Sequence, residues 1–147
     1  MRFFFSFAFA LSLLGLIGCN TISPPLRVKP SLQTLTVTGY CNCKKCCGWE
    51  RSWVRLGAPV FASGPQKGER KEVGLTASGR KARTGTAAVD RSVFPLGTVF
   101  YVPGYGYARG EDVGGAIKGN HIDLWFPSHQ AALEWGKQTL PVTVWKK

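Results

Sequence analysis

The stretch His121-Ile122-Asp123-Leu124-Trp125-Phe126 decides how this chain is expected to fold. It is rich in apolar and aromatic residues and follows a glycine-rich run, a pattern that predicts a β strand preceded by a turn. One carboxyl group, that of Asp123, lies in its middle. A carboxyl group among apolar residues with no partner has a raised pKa, which is what a general acid needs. We therefore expect Asp123 to carry chemistry.

Two further aspartates flank this stretch in similar settings. Asp112 opens Asp112-Val113-Gly114-Gly115-Ala116-Ile117-Lys118-Gly119-Asn120, and Asp90 closes Gly85-Thr86-Ala87-Ala88-Val89-Asp90. The chain has only eight acidic residues, so three at strand ends or beside glycine loops are unusual. The alternative for Asp90 and Asp112 is a structural one, in which each caps a turn through hydrogen bonds to backbone amides.

The glycine-rich loop before Asp123 is not a nucleotide-binding motif. It lacks the Gly-Lys-Ser/Thr ending of a phosphate-binding loop, and no helical pattern follows it. We interpret it as a tight turn that lets a polymer approach the backbone closely. Within it, Lys118 either binds a substrate carboxylate or phosphate or is simply exposed. His121 and His129 are eight residues apart without an acidic metal-site pattern, so we expect structural roles for both.

Short β-like runs separated by glycine and proline extend over the rest of the chain. Candidate strands are 34–40, 59–62, 73–76, 86–89, 98–102, 121–126 and 139–145. The only helix predicted would be capped by Ser128 and end at Gly136. Many short strands with one short helix predict a compact, mainly β barrel.

The N-terminus resembles a bacterial lipoprotein signal. A basic start is followed by an apolar run and by Leu16-Ile17-Gly18-Cys19. We expect a signal peptide over 1–18, lipid on Cys19, a proline-containing tether over 19–33 and one domain over 34–147. Asn20 is not the aspartate that retains lipoproteins at the inner membrane, so we expect outer-membrane attachment facing the periplasm. An ordinary signal peptide or a membrane anchor is the alternative.

The net charge of the chain limits the classes of partner that we expect it to bind. The chain carries 19 lysines and arginines against eight acidic residues, a net charge of +11. An exported basic protein meets lipid head groups and peptidoglycan rather than nucleic acid, so we expect no nucleic-acid partner. The alternative is that the excess positive charge only keeps the protein soluble.

Four cysteines, Cys41, Cys43, Cys46 and Cys47, lie within seven residues. In an exported protein we expect two disulfides among them, although a Cys46–Cys47 pair is sterically unfavourable. A zinc site made of thiolates and a set of free or redox-active thiols are the alternatives. In each case we expect a structural role near the entrance of the barrel.

Six motifs in order resemble the 3D domain, which is named for its three aspartates. They are Thr76-Ala77-Ser78-Gly79, Gly85-Thr86-Ala87-Ala88-Val89-Asp90, Phe94-Pro95-Leu96-Gly97-Thr98, Val102-Pro103-Gly104-Tyr105-Gly106, the glycine loop that begins at Asp112, and Ile122-Asp123-Leu124-Trp125-Phe126. A similar block ends the membrane-bound lytic transglycosylase A family. The resemblance covers about 37–145, without the second large domain of those enzymes, and implies a six-stranded double-psi β-barrel. We expect a monomer that needs no cofactor and no metal for its chemistry.

The resemblance also implies a substrate and a mechanism. The substrate would be peptidoglycan glycan strands, cleaved between N-acetylmuramic acid and N-acetylglucosamine to leave 1,6-anhydromuramyl ends. Asp123 would be the catalytic acid and base, with Asp112 and Asp90 orienting the site and stabilising positive charge. The substrate-binding set would be Tyr40, Thr76, Gly114, Gly115 and Lys118. Two other classes stay open, an expansin-like protein that binds peptidoglycan without cleaving it and a cysteine-centred metal or redox protein.

Overall fold

A computed structural model describes residues 21–146 of the chain. The expected signal peptide and the lipidated Cys19 lie outside these residues. The elements in chain order are β1 (Ser31–Tyr40), α1 (Lys44–Cys47), β2 (Trp49–Arg51), β3 (Pro59–Phe61), β4 (Thr86–Val89), β5 (Val99–Val102), β6 (Gly106–Asp112), β7 (His121–Trp125), α2 (His129–Trp135) and β8 (Gln138–Trp145). Between residues 21 and 146, no helix has the length and apolar character needed to cross a membrane.

Six of the strands close into a barrel in the order β1-β7-β4-β6-β5-β8. The β1–β7 and β4–β6 pairs are parallel, and the other four pairs are antiparallel. β2 and β3 form a separate hairpin. The predicted mainly β fold, a six-stranded double-psi β-barrel, is confirmed.

The barrel is held together by a closed apolar interior. Strand β7 shows how, because Ile122 and Leu124 are fully buried while His121, Asp123 and Trp125 on the opposite face are only partly buried. The interior residues are Leu35, Val37, Ala87, Val89, Phe94, Phe100, Val102, Ala108, Ile122, Leu124, Val142 and Val144. Burying one large apolar side chain of this kind contributes about 1.5–3 kcal/mol.

Most predicted elements are present, and the exceptions have physical causes. The predicted strand over 73–76 is wrong, because Leu75 makes only an isolated bridge to Lys81 and Thr76 closes a turn onto the carbonyl of Arg80. β6 was not predicted, since charged residues and glycines interrupt its apolar pattern. The hairpin strand β2 and the four-residue helix α1 were not predicted either. β1 begins at Ser31, so it includes the last three residues of the expected tether.

Helix α2 begins and ends as predicted. The hydroxyl of Ser128 accepts a hydrogen bond from the Ala131 amide at 3.1 Å, and Gly136 closes the last turn. The helix packs against β1 at Gly39, where an added Cβ would lie 3.1 Å from the Ala132 carbonyl oxygen of the helix. This close approach places the N-terminal end of α2 beside the segment that follows β1.

Candidate functional site

The carboxyl group of Asp123 faces a cleft on the outside of the barrel. Since side chains alternate along β7, Ile122 and Leu124 point into the core and do not surround this carboxyl group, contrary to our expectation. The cleft has a volume of about 290 Å³. Its walls are formed by Tyr40, Asn42, Cys46, Cys47, Lys71, Glu72, Val73, Gly74, Leu75, Ala82, Ala88, Asp112, Val113, Gly114, Gly115 and Asp123.

Asp123 is held by its neighbours on β1 and β7. The Thr38 hydroxyl donates to Asp123 Oδ1 at 2.6 Å and lies 2.9 Å from His121 Nε2. Because that hydroxyl has a single proton, a Thr38 that donates to Asp123 must accept from His121. Burial raises the pKa of Asp123, and the nearby Asp112 charge acts in the same direction, while Thr38 and His121 partly oppose them. The carboxyl group therefore has the raised pKa that a proton donor needs.

Asp112 lies in the same cleft and is fixed from three sides. Its Oδ1 accepts from the Ala77 amide at 3.0 Å and from its own neighbour Val113 at 2.9 Å. Its Oδ2 accepts from the Tyr40 hydroxyl at 3.1 Å. Burial and the Asp112 charge raise the pKa of Tyr40, so this phenol stays protonated and keeps donating. The structure thus brings Asp112 and Asp123 together, with Tyr40 orienting the former.

Asp90 is not among the residues that form this cleft. Its Oδ1 accepts from the Ser92 amide at 3.0 Å and from the Ser92 hydroxyl at 2.7 Å, and its Oδ2 accepts from the Gly119 amide at 2.9 Å. These hydrogen bonds lower the pKa of Asp90 to about 2, and the one from the Gly119 amide has the largest effect. Asp90 thus ties the end of the glycine loop to the turn after β4, which is the structural alternative.

The expected substrate-binding residues divide into two groups. Tyr40, Gly114 and Gly115 line the cleft. Thr76 does not, because it is buried and its hydroxyl donates to the Arg80 carbonyl at 2.9 Å. Lys118 is exposed and borders a separate shallow groove next to Asp90.

Two charged residues that matter here were missed from the sequence. Lys71 lines the cleft, where its Nζ donates to the Cys47 carbonyl. Glu111 is only 2% exposed and lies 3.4 Å from Arg80 and 3.7 Å from Arg83. The residues around Glu111 gave no local signal for its burial, because its partners Arg80 and Arg83 lie 31 and 28 residues earlier in the chain.

Cys41, Cys43, Cys46 and Cys47 are free thiols, so the two expected disulfides are not formed in this structure. The sulfurs of Cys41, Cys43 and Cys46 instead converge on His129, with all four donor atoms within 4.8 Å of one another. Cys47 points elsewhere, since its Sγ donates to the Cys41 carbonyl at 3.1 Å. His129, for which we expected an ordinary structural role, thus belongs to this cluster.

Residues 85–146 match the model of the 3D domain family. The matched segment contains all three aspartates, Asp90, Asp112 and Asp123.

Individual relatives match over limited lengths. The chain is 47% identical over 75 residues to the cell wall-binding protein YocH of Bacillus subtilis strain 168. The aligned segment covers 48% of this chain and 26% of that protein. It is 49% identical over 57 residues to the putative cell wall shaping protein YabE of the same organism. This alignment covers 39% of this chain and 14% of that protein. The chain therefore spans about a quarter or less of these relatives.

A solved structure is also similar. The Escherichia coli lytic transglycosylase MltA matches at 26% identity and a TM-score of 0.41, over 55% of this chain and 29% of that one.

Proposed function

We propose that this protein acts on the peptidoglycan of the cell envelope as a lytic transglycosylase. The observation that carries the proposal is the half-buried carboxyl group of Asp123, which has a raised pKa and faces an open cleft beside Asp112. The family match, and a relative whose name describes cell wall binding, support the choice of polymer.

The proposed reaction needs one group that first gives and then takes a proton. Protonated Asp123 donates to the glycosidic oxygen that leaves C1 of N-acetylmuramic acid. The 6-hydroxyl of the same sugar then attacks C1 and gives its proton to the Asp123 carboxylate. One C–O bond breaks, one forms and no water is consumed, so a second carboxylate to activate water is not needed.

Asp112 supplies charge rather than a proton in this proposal. Its carboxylate is fixed by the Ala77 amide and the Tyr40 hydroxyl, beside the place where positive charge develops at C1. The same negative charge helps to keep Asp123 protonated before the reaction. Asp90, which lies outside the cleft, takes a structural role.

The remaining cleft residues offer contacts for the polymer. The Lys71 ammonium group is the cation on the cleft wall best placed for a carboxylate of the peptidoglycan stem. An added Cβ at Gly115 would meet nothing within 4 Å, so the backbone is open there to a sugar.

We further propose that lipid on Cys19 holds the protein in the cell envelope, at the outer membrane facing the periplasm. The support is the sequence Leu16-Ile17-Gly18 before this cysteine.

A second candidate is peptidoglycan binding without cleavage. The observation that favours it is the identity to a protein named for cell wall binding. Under this proposal the cleft and Lys71 hold glycan strands, and Asp123 is a hydrogen-bonding group.

Digestion of purified sacculi by the full chain, followed by mass analysis of the released fragments, tests both candidates. We expect fragments with 1,6-anhydromuramyl ends. Reducing ends instead would indicate hydrolysis, and would contradict the proposed chemistry. Co-sedimentation with sacculi and no released fragments at any pH would favour the binding candidate.

A further inference from the structure

The cysteine cluster joins two elements that are distant in the sequence. Cys41 directly follows β1, Cys43 is the N-cap of α1, Cys46 lies within α1, and His129 is the first residue of α2. Their donor atoms lie within 4.8 Å of one another. The cluster thus connects the segment after β1 to a helix more than 80 residues later.

The distances match those of a tetrahedral zinc ion. With Zn–S of about 2.3 Å and Zn–N of about 2.0–2.1 Å, two sulfurs are about 3.8 Å apart and a sulfur and a nitrogen about 3.6 Å apart. Cys41 Sγ and Cys46 Sγ are 3.7 Å apart. His129 Nδ1 lies 3.5 Å from Cys43 Sγ and 3.3 Å from Cys46 Sγ. A disulfide would need about 2.05 Å between its two sulfurs. The sulfurs of Cys41, Cys43 and Cys46 are instead free thiols.

The surroundings suit thiolates. The Cys43 amide points at Cys41 Sγ and the Cys46 amide points at Cys43 Sγ, each at 3.4 Å. Such N–H groups stabilise the negative sulfurs that a metal requires. Three thiolates and one Zn²⁺ leave a charge of minus one, and α1 contributes Lys44 and Lys45 to balance it.

Cys47 is distinguished from the other three by its direction. Its Sγ donates to the Cys41 carbonyl at 3.1 Å and lies on the wall of the cleft. Cys47 is therefore not one of the four ligands, whereas a four-cysteine site would have included it.

We propose that Cys41, Cys43, Cys46 and His129 form a structural Zn²⁺ site. Four protein donors complete a tetrahedron, so no position is open for a substrate, and the role is to hold structure. Binding releases the three thiol protons and requires no oxidant. Because Tyr40, Asn42 and Cys46 also line the cleft, the ion would fix one of its walls against α2.

The direct test is the metal content of the full chain, purified in detergent without oxidants after expression with added zinc. Elemental analysis should find about one zinc per chain. The intact mass of the denatured, metal-free protein should show four unpaired thiols in the 41–47 segment. Replacement of zinc by Co²⁺ should give the strong absorption of tetrahedral cobalt with thiolate ligands.

Matched variants assign the ligands. Cys43→Ser should lose at least tenfold in zinc affinity, whereas Cys47→Ser, with one cysteine removed from the same segment, should bind like the wild type. His129→Cys replaces one zinc donor by another and should retain the metal. If Cys43→Ser does not fold, the zinc content of the wild type and of Cys47→Ser decides.

Three results would overturn the proposal. They are a wild type without stoichiometric metal, two disulfides in protein purified without oxidants, and a Cys47→Ser variant that loses zinc. The last would indicate a four-cysteine site.

Discussion

The proton affinity of Asp123 is determined by a small number of neighbours. Burial and the Asp112 charge favour the neutral acid, and the Thr38 hydroxyl and His121 favour the carboxylate. Substitutions at Asp112 and at Thr38 each change one of these influences, so they should shift the pKa of Asp123 in opposite directions.

The rate of cleavage should fall as the pH rises through the pKa of Asp123, since the reaction begins with the protonated acid. Asp112→Asn removes a negative charge, which lowers the pKa of Asp123 and moves this decline to lower pH. Thr38→Val removes the hydrogen bond at 2.6 Å that favours the carboxylate, which raises the pKa and moves the decline to higher pH. The measurement is the release of muropeptides from sacculi as a function of pH.

Asp90→Asn is the control for this series. It changes an aspartate of the same domain that lies outside the cleft, so the decline should stay where it is in the wild type. Shifts of the same sign in Asp112→Asn and Thr38→Val would contradict the assignment of the pH dependence to Asp123.

At the scale of single elements, the two adjacent glycines of the loop after β6 have different roles. An added Cβ at Gly114 would lie 2.7 Å from Ile117 Cγ1, whereas one at Gly115 would meet nothing within 4 Å. Gly114 is therefore required for packing, and Gly115 is the position that leaves the cleft open.

Alanine at each position separates these roles. Gly114→Ala should destabilise the fold by about 1–3 kcal/mol, because the loop must shift to avoid Ile117. Gly115→Ala should change stability by less than about 0.5 kcal/mol and weaken binding to sacculi severalfold. Urea unfolding and co-sedimentation measure the two effects. Wild-type binding by Gly115→Ala would show that the polymer does not approach the backbone there.

Glu111 on β6 anchors the segment that carries Ala77, which in turn contacts Asp112. It accepts from the Thr86 hydroxyl at 3.1 Å and pairs with Arg80 and Arg83. Glu111→Gln keeps the shape but places an amide NH₂ among donors, so stability should fall by about 1–3 kcal/mol. Arg80 and Arg83 are partly exposed and can be hydrated, which limits the loss. Chemical unfolding measures it.

Glu134→Gln is the matched control. Glu134 is exposed on α2 and accepts from Gln130 within the same helix. Its replacement should change stability by less than about 0.5 kcal/mol. An equal loss in both variants would contradict the anchoring role of Glu111.

A structural feature could be predicted from the sequence where it depends on neighbouring residues, and not where it depends on residues far away in the chain. The strand at 121–125 and the cap at Ser128 are local features, and both are present. β6 and the burial of Glu111 depend on partners in other strands, so the sequence pattern of 106–112 does not contain them. The same limit applies to His129, whose cysteine partners precede it by more than 80 residues. The face of β7 on which Asp123 lies follows from its alternation with Ile122 and Leu124, which places Asp123 on the side away from the core.

Across the molecule as a whole, the barrel carries two candidate sites. One is the cleft with Asp112 and Asp123, and the other is the thiol and imidazole cluster between β1 and α2. They share residues of the segment after β1, so we expect damage to the cluster to disturb the cleft, while changes in the cleft leave the cluster intact.

The proposed attachment to the membrane can be tested on the whole chain. Cys19→Ala should move the protein from the membrane fraction to the soluble envelope fraction, or leave it unprocessed, because the lipid has no acceptor. Cell fractionation with immunodetection measures this, and Cys47→Ser is the control for loss of a cysteine as such. Normal membrane partitioning of Cys19→Ala would contradict the lipid anchor.

In the proposed function, Asp123 moves the proton during cleavage of peptidoglycan. The most direct measurement compares the wild type with Asp123→Asn for two readouts on the same sacculi, release of 1,6-anhydromuropeptides and co-sedimentation. We predict that release falls by at least about 10²–10⁴-fold, the usual contribution of general acid–base catalysis, while co-sedimentation is retained because the basic surface is unchanged. Release of anhydromuropeptides by Asp123→Asn at the wild-type rate would contradict the account.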